Sequence, residues 1–286
     1  MGANPKKNTP PPKQNNFRGN AASTVIMFNK WREAAKNFAV PAPPPTPLHH
    51  WKLDEVRGDY AYDTGTSGTP ATLTRKGRAK WIGGGGVALP NGGATKNSFL
   101  DFGPNFQFAA VGGVTFAVWA KIESFANLYG RILYLRNSSG SNAIKTFVRR
   151  MHLQRQARVH IKNNGVGENL DTPDCNPSDR ANDPCYFFPV AGSRWVHVAF
   201  TVTADGAYSL YRDGATQDDW KTASGYGPAA NPNSVAYTHA GLGGWPNDEF
   251  GGDCCYLDGS LRDARLYDRA LSAAEIQHIF DYTKRG

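Results

Sequence analysis

The sequence predicts an all-β fold: two antiparallel sheets stacked as a jelly-roll sandwich, a short C-terminal helix, and an extended N-terminal arm containing one amphipathic helix. Three observations carry this expectation. Apolar residues recur at every second position in several stretches, the spacing that puts one face of a strand on a core. Clusters of Gly, Asn, Asp and Ser separate these stretches, and 31 Gly and 19 Pro in 286 residues count against a helical bundle. Nine of the 19 prolines fall in residues 1–47, which sets an arm, 1–47, apart from a body, 48–286.

In the arm, Pro10–Pro12 and Pro41–Pro47 form stiff polyproline spacers rising ~3.1 Å per residue. Between them the sequence predicts a helix near 24–38, with Ser23 or Thr24 as N-cap. Phe28, Trp31, Ala35 and Phe38 recur there at steps of three and four, one helical face. A helix so placed can dock on a partner protein or fold back on its own body. The arm carries Lys6, Lys7, Lys13, Arg18, Lys30, Arg32 and Lys36 against Glu33, a net +6 of the chain's +8. It can bind phosphates or an acidic surface, or act as a solvated tail. The body is nearly neutral and has no nucleic-acid motif, so contact with nucleic acid is expected only through the arm.

In the body, Val114, Phe116, Val118, Ala120 and Ile122 alternate with Thr115, Ala117, Trp119 and Lys121. Val196, Val198, Phe200 and Val202 do the same against His197, Ala199 and Thr201. Further strands are expected at Arg131–Arg136, Ile144–Val148, Arg158–Lys162, Ala207–Arg212, Tyr237–Leu242 and Leu261–Asp268. The turns between them include Gly83–Gly86, Asn137–Gly140, Ala204–Gly206 and Asp213-Gly214. At the C-terminus Ser272 and Glu275 form a capping box, Leu271 and Ile276 a hydrophobic staple. Ile276, Ile279 and Phe280 make the apolar stripe, expected to pack against an end of the sandwich.

The order of these pieces resembles a family. His50-Trp51 and Asp63–Gly68 open the body as laminin-G-like domains open. Val114–Lys121, Arg194–Val202 and Tyr208–Gly214 are similar to three of their strands. Leu257–Ile276 is the most similar stretch. The resemblance spans residues 50–280, leaves the arm out, and implies a concanavalin-A-like sandwich that binds sugars or proteins, in some members with calcium. Asp63 and Asp258 are the positions it implies for calcium, with Asp101 and Asp253 as neighbours. Asp63 also reads as a turn residue bonding its own backbone.

Glycosidases of this fold carry a Glu-x-Asp-x-x-Glu type of run. The six Glu here, at 33, 55, 123, 168, 249 and 275, form none, so no catalytic residue is expected. The loop around Trp245, Asn247 and Asp248 is the expected ligand surface, an aromatic ring for stacking beside hydrogen-bonding groups. Trp220 and Tyr226 offer a second such loop. Aromatics that simply cover a sandwich edge are the alternative. Cys175, Cys185, Cys254 and Cys255 allow three pairings. Two disulfides are expected rather than a zinc site, because a nine-residue gap plus two adjacent cysteines is poor zinc spacing.

No run of ~18 apolar residues predicts a membrane span. The first residues lack the apolar stretch of a secretory signal. These features give an expectation of cytoplasmic synthesis followed by an oxidising location, an extracellular surface or a virion, since basic arms beside jelly rolls resemble those of virus capsid proteins. The functional expectation is a non-catalytic jelly-roll protein, held in a larger assembly by its arm and bearing a glycan- or protein-recognition surface. A free-standing lectin-like module and a glycoside hydrolase of the same fold are the alternatives.

Overall fold

The structure is a computed structural model that describes residues 42–83, 85–92, 97–110, 112–127, 129–149, 155–171, 187–216, 222–225, 235–245 and 255–284. The chain divides into two compact units, Met1–Ala42 and Pro43–Gly286. Pro43–Pro47, read from the sequence as the end of the arm, therefore belongs to the body. The arm helix expected near 24–38, with Phe28, Trp31 and Phe38, lies outside the described residues.

The described strands are β1 (His49–Trp51), β2 (Tyr60–Ala61), β3 (Leu73–Lys76), β4 (Lys80–Trp81), β5 (Val87–Leu89), β6 (Phe99–Asp101), β7 (Val114–Ser124), β8 (Tyr129–Arg136) and β9 (Ala143–Arg149). They continue with β10 (Gln156–Asn163), β11 (Val166–Asp171), β12 (Val196–Val202), β13 (Tyr208–Arg212), β14 (Ala215–Thr216), β15 (Thr222–Gly225), β16 (His239–Leu242) and β17 (Asp258–Tyr267), before helix α1 (Ala273–Thr283). All pairs between them are antiparallel. One sheet runs β14-β13-β12-β7-β17-β5-β4, with β1 added on β17, and the other runs β15-β11-β10-β9-β8-β16-β6-β3-β2. This is the predicted two-sheet sandwich.

Two tight hairpins show why the chain turns where it does. Asp213-Gly214 joins β13 to β14 with φ of 51° and 84°, and Asn164-Gly165 joins β10 to β11 with 49° and 88°. Consecutive positive φ is the mirror-image turn that matches strand twist, and Asn-Gly and Asp-Gly adopt it most cheaply. Between the sheets, Val114, Phe116, Val118 and Ile122 of β7 and Val198, Phe200 and Val202 of β12 meet Leu133, Leu135, Ile144, Val159 and Ile161 of the opposite sheet in one core.

The outward face of β7 and β12 departs from the expected alternation of buried and exposed positions, since both strands are buried along nearly their whole length. The cause is α1, which lies on that face and not on an end of the sandwich as the sequence suggested. Leu271, Ile276 and Ile279 pack on Ala117, Ala199, Tyr211 and Tyr267. The two alanines leave a shallow seat for a helix, and the pattern of a single strand could not show it. The helix starts as predicted, with the Ser272–Glu275 capping box formed.

Candidate functional site

A cleft opens beside α1, over the junction of β1, β17 and β7, and a β-bulge builds it. Arg262 pairs with Trp119 and Arg265 with Ala117, so Asp263 and Ala264 stand opposite the single residue Val118. Asp263 takes φ 50°, and its N–H donates to the Lys52 carbonyl. Bulges of this kind re-aim side chains. Here the bulge leaves Ala264 in the core and turns the Asp263 carboxylate into the cleft.

That carboxylate is held on both oxygens. His50 Nε2 lies 2.6 Å from Oδ1, Arg265 Nε donates to Oδ1 at 2.9 Å, and Arg265 Nη2 donates to Oδ2 at 3.1 Å. Burial would raise its pKa, but the His50 hydrogen bond and the Arg265 guanidinium outweigh burial and hold it at about 2. Beside this trio the Arg262 guanidinium lies 4.9 Å from the Trp119 ring centroid and 5.0 Å from that of Trp195. Trp119 is itself fixed, stacked on Phe280 of α1 and donating through Nε1 to Thr283 Oγ1 at 2.8 Å.

The near wall of the cleft is the strap Pro44–Pro47, pinned by the Tyr267 hydroxyl, which donates to the Pro45 carbonyl at 3.2 Å. The far wall is Tyr282 and Thr283 of α1, and the open cleft has a volume of about 550 Å³. Lys52 and Asp54, both exposed, stand at the rim. A concave space of this size, walled by rings and prolines and holding a few fixed charges, suits a small polar ligand.

The residues singled out in the sequence are distributed differently. Trp245 is half-buried, edge-on to Phe99 at 5.8 Å and to His239 at 5.6 Å. Asn247, Asp248, Trp220 and Tyr226 lie outside the described residues, as do Asp253, Cys175, Cys185 and Cys254. Cys255 is buried and disulfide-bonded.

Asp63 is a structural knot. His50 and Gly65 N–H donate to Oδ1, Ala71 N–H and His49 Nδ1 to Oδ2. Burial opposes its ionisation, and the His49 and backbone bonds still bring its pKa to about 2. An oxygen pair already filled by N–H donors does not fit a calcium ion.

Asp258 has a different setting. Its Oδ1 accepts the Asn91 N–H. The Asn127 amide nitrogen donates to the Tyr256 and Asn91 carbonyls, leaving Asn127 Oδ1 buried with no hydrogen-bond partner. Asp258 Oδ2 and the unspent Asn127 Oδ1 are oxygens of the kind calcium accepts, but an N–H already occupies Asp258 Oδ1, and among the described residues no group of three or more His, Cys, Asp or Glu side chains gathers. Asp101, its expected neighbour, spends Oδ1 on the Gly103 N–H. Among the described residues, no helix is long and apolar enough to cross a membrane.

Sequence reasoning missed the cleft. Trp119, His50 and Asp263 stood within the stretches that carried the resemblance, but they were read for fold. Their convergence depends on the bulge and on the seat of α1, neither visible in local spacing. The charged run Arg262-Asp263-Ala264-Arg265 in the middle of β17 was the available signal.

Comparison with known proteins agrees with this architecture. The chain is similar to the binding domain of botulinum neurotoxin serotype D (12% identity, TM-score 0.55, covering 83% of this chain and 52% of that one). It is also similar to the binding domain of botulinum neurotoxin DC in complex with rat synaptotagmin II (11%, 0.55, 82% and 51%). A third is a structure of botulinum neurotoxin type C, whose cell entry depends on interaction with two ganglioside molecules (12%, 0.54, 82% and 51%). The chain spans about half the length of these structures, and at such identities the likeness is one of fold. No curated protein sequence matches. The Laminin_G_3 model of the concanavalin A-like lectin/glucanases superfamily matches residues 91–277. With well over half of its length matched, the chain belongs to the concanavalin A-like lectin/glucanase superfamily.

Proposed function

We propose that this protein is a non-catalytic recognition protein whose sandwich binds a glycan through the cleft beside α1, and whose arm holds it in a larger protein assembly. The observation that carries the recognition half is the state of the cleft's acid. Glycoside hydrolysis needs a carboxyl group kept protonated by a raised pKa. Asp263 is held at about 2 by His50 and Arg265, which suits fixing charge and shape rather than giving up a proton. The other described carboxyl groups with displaced acidity, Asp63, Asp205 and Glu275, are displaced downward too. Neurotoxin domains of the same fold, one with a protein partner and one linked to gangliosides, support binding as the use of this scaffold.

The anchoring half rests on the arm's sequence, its net +6 charge and its amphipathic stretch. A capsid is one assembly such an arm would fit. Calcium belongs to this reading at Asp258 and Asn127, where it would brace the loops around residues 91 and 127. Disulfides joining the four cysteines would place the mature protein in an oxidising setting.

The test compares the full chain with a 43–286 chain on a glycan array, with and without calcium, and in co-sedimentation with its native assembly. Glycan binding retained by both chains, with assembly lost on deletion, is the expected outcome. Hydrolysis of any bound saccharide would overturn the non-catalytic reading. Unchanged co-sedimentation of the 43–286 chain would overturn the anchoring.

A further inference from the structure

The two sheets end beside each other at one edge of the sandwich, on β2 and β4, the last strands of their sheets. The Trp81 indole of β4 bridges them, donating through Nε1 to the Gly58 carbonyl at 2.8 Å. Arg75 of β3 adds a second tie, pairing with Asp59 at 2.7 Å while its guanidinium lies 5.9 Å from the Trp81 ring centroid. Residues 54–62 and 73–82 therefore share one surface, and it is unusually apolar. Among the described residues six large apolar side chains are exposed, and four of them are here: Val56 (70%), Tyr60 (50%), Tyr62 (59%) and Ile82 (42%). The Tyr60 and Tyr62 ring centroids are 6.5 Å apart, and Val56 and Ile82 adjoin the Trp81–Gly58 bridge in the chain. A single exposed apolar residue needs no explanation, whereas a group of them marks a surface that another molecule covers.

We infer that this edge is the interface of a two-fold dimer, its occupant a second copy of this chain. Charge points to that occupant. Residues 54–62 carry Asp54, Glu55 and Asp59 against Arg57, whereas residues 73–82 carry Arg75, Lys76, Arg78 and Lys80 and no acid. A two-fold interface sets the same patch against itself, residue i on j and j on i, so the acidic segment of each copy meets the basic segment of the other. A partner or lipid surface of one sign would be drawn to one segment and repelled by its neighbour. Asp59 and Lys76 are committed within the copy, to Arg75 and Asp101. Asp54 and Lys80, both exposed, are the pair expected to cross.

The area agrees with a dimer. The four apolar side chains leave roughly 400 Å² uncovered in each copy. Two copies bury about 800 Å² from them and roughly 1,200 Å² with the charged rim, the lower end of specific interfaces, so the dimer should be of micromolar strength. Asp54 and Gly85 also line the cleft, so pairing here sets two clefts beside one interface, an arrangement that gives avidity for a ligand repeated on a surface. The dimer itself stands independently of what the cleft binds.

The experiment is sedimentation velocity of the full chain from about 1 to 100 µM, a range that brackets a micromolar dissociation constant. The sedimentation coefficient is expected to rise from monomer to dimer and stop there, because a two-fold interface closes. Val56→Ser and Tyr62→Ser should each weaken the dimer about tenfold, and as exposed positions they leave the monomer folded. Lys80→Glu and Asp54→Lys should each weaken it too, by setting like charges opposite each other. Mixing those two variants restores opposite charges at both crossings, so the mixture should associate about as well as the parent chain. A monomer at every concentration, growth beyond the dimer, or no recovery in the mixture would overturn the inference. So would a dimer that survives Val56→Ser and Tyr62→Ser but is lost from the 43–286 chain, which would move association to the arm. Co-sedimentation of a monomeric chain with phosphatidylcholine–phosphatidylserine vesicles, abolished by Tyr62→Ser, would give the edge to a membrane instead and likewise overturn the dimer.

Discussion

His197 points out from β12 under α1, 5.3 Å from the Trp119 ring and 6.0 Å from Phe280, with Nδ1 buried and unbonded. Burial pushes its pKa down from 6.5 to about 4; Asp263 and Asp213 pull it up and Arg265 pushes it further down. The folded protein therefore binds fewer protons than the unfolded chain between those values. Stability present above pH 6.5 is lost as the pH falls toward 4, by about 3 kcal/mol across the window. Urea unfolding at pH 7 and pH 4.5 should show this loss, and His197→Gln should flatten it; parallel pH profiles for the two chains would refute the assignment. The sequence placed His197 correctly as outward-facing. What it could not show is that outward, on this sheet, means buried beneath a helix.

Among the elements, α1 carries the clearest link from sequence to energy. Ser272 accepts the Glu275 N–H, and Glu275 in turn accepts the Ser272 N–H and pairs with Arg269. The Arg269 hydrogen bond, working against a small burial penalty, holds the Glu275 pKa near 2. Ser272→Ala should cost about 1 kcal/mol and lower the melting temperature by about 2–4 °C in a body of this size. Scanning calorimetry checks this, and an unchanged melting temperature would mean that tertiary packing alone holds the helix. The capping box was legible because its four residues are contiguous. The seat of the helix was not, because Ala117, Ala199 and Tyr267 come from three strands. Likewise the long strands β7 and β12 could be read from alternation, whereas β1, β2, β4, β5 and β14, at two or three residues each, are too short to show a period.

At the scale of the molecule, the strap decides where the body begins. Tyr267 donates to the Pro45 carbonyl, and Thr66 donates to the Pro47 carbonyl through both N–H and Oγ1. Removing residues 1–42 should leave the melting temperature within about 1 °C of the full chain. Removing residues 1–47 should cost a further 2–3 kcal/mol, at about 1 kcal/mol for each lost hydrogen bond, and open the near wall of the cleft. Equal stability of the two truncations in urea would show that the strap rests on the body without holding it.

The sequence by itself determined the sandwich, its long strands, its Asp-Gly turn and its terminal helix, because each is written in contiguous residues through a period of two, a turn pair or a cap. Only the tertiary structure decided what lies in the cleft. His50, Trp119, Arg262, Asp263 and Tyr282 span more than 230 positions of the chain. They meet because one bulge in β17 turns a carboxylate outward and two alanines let a helix settle beside it. Such long-range convergence leaves no periodic trace for a linear reading to find.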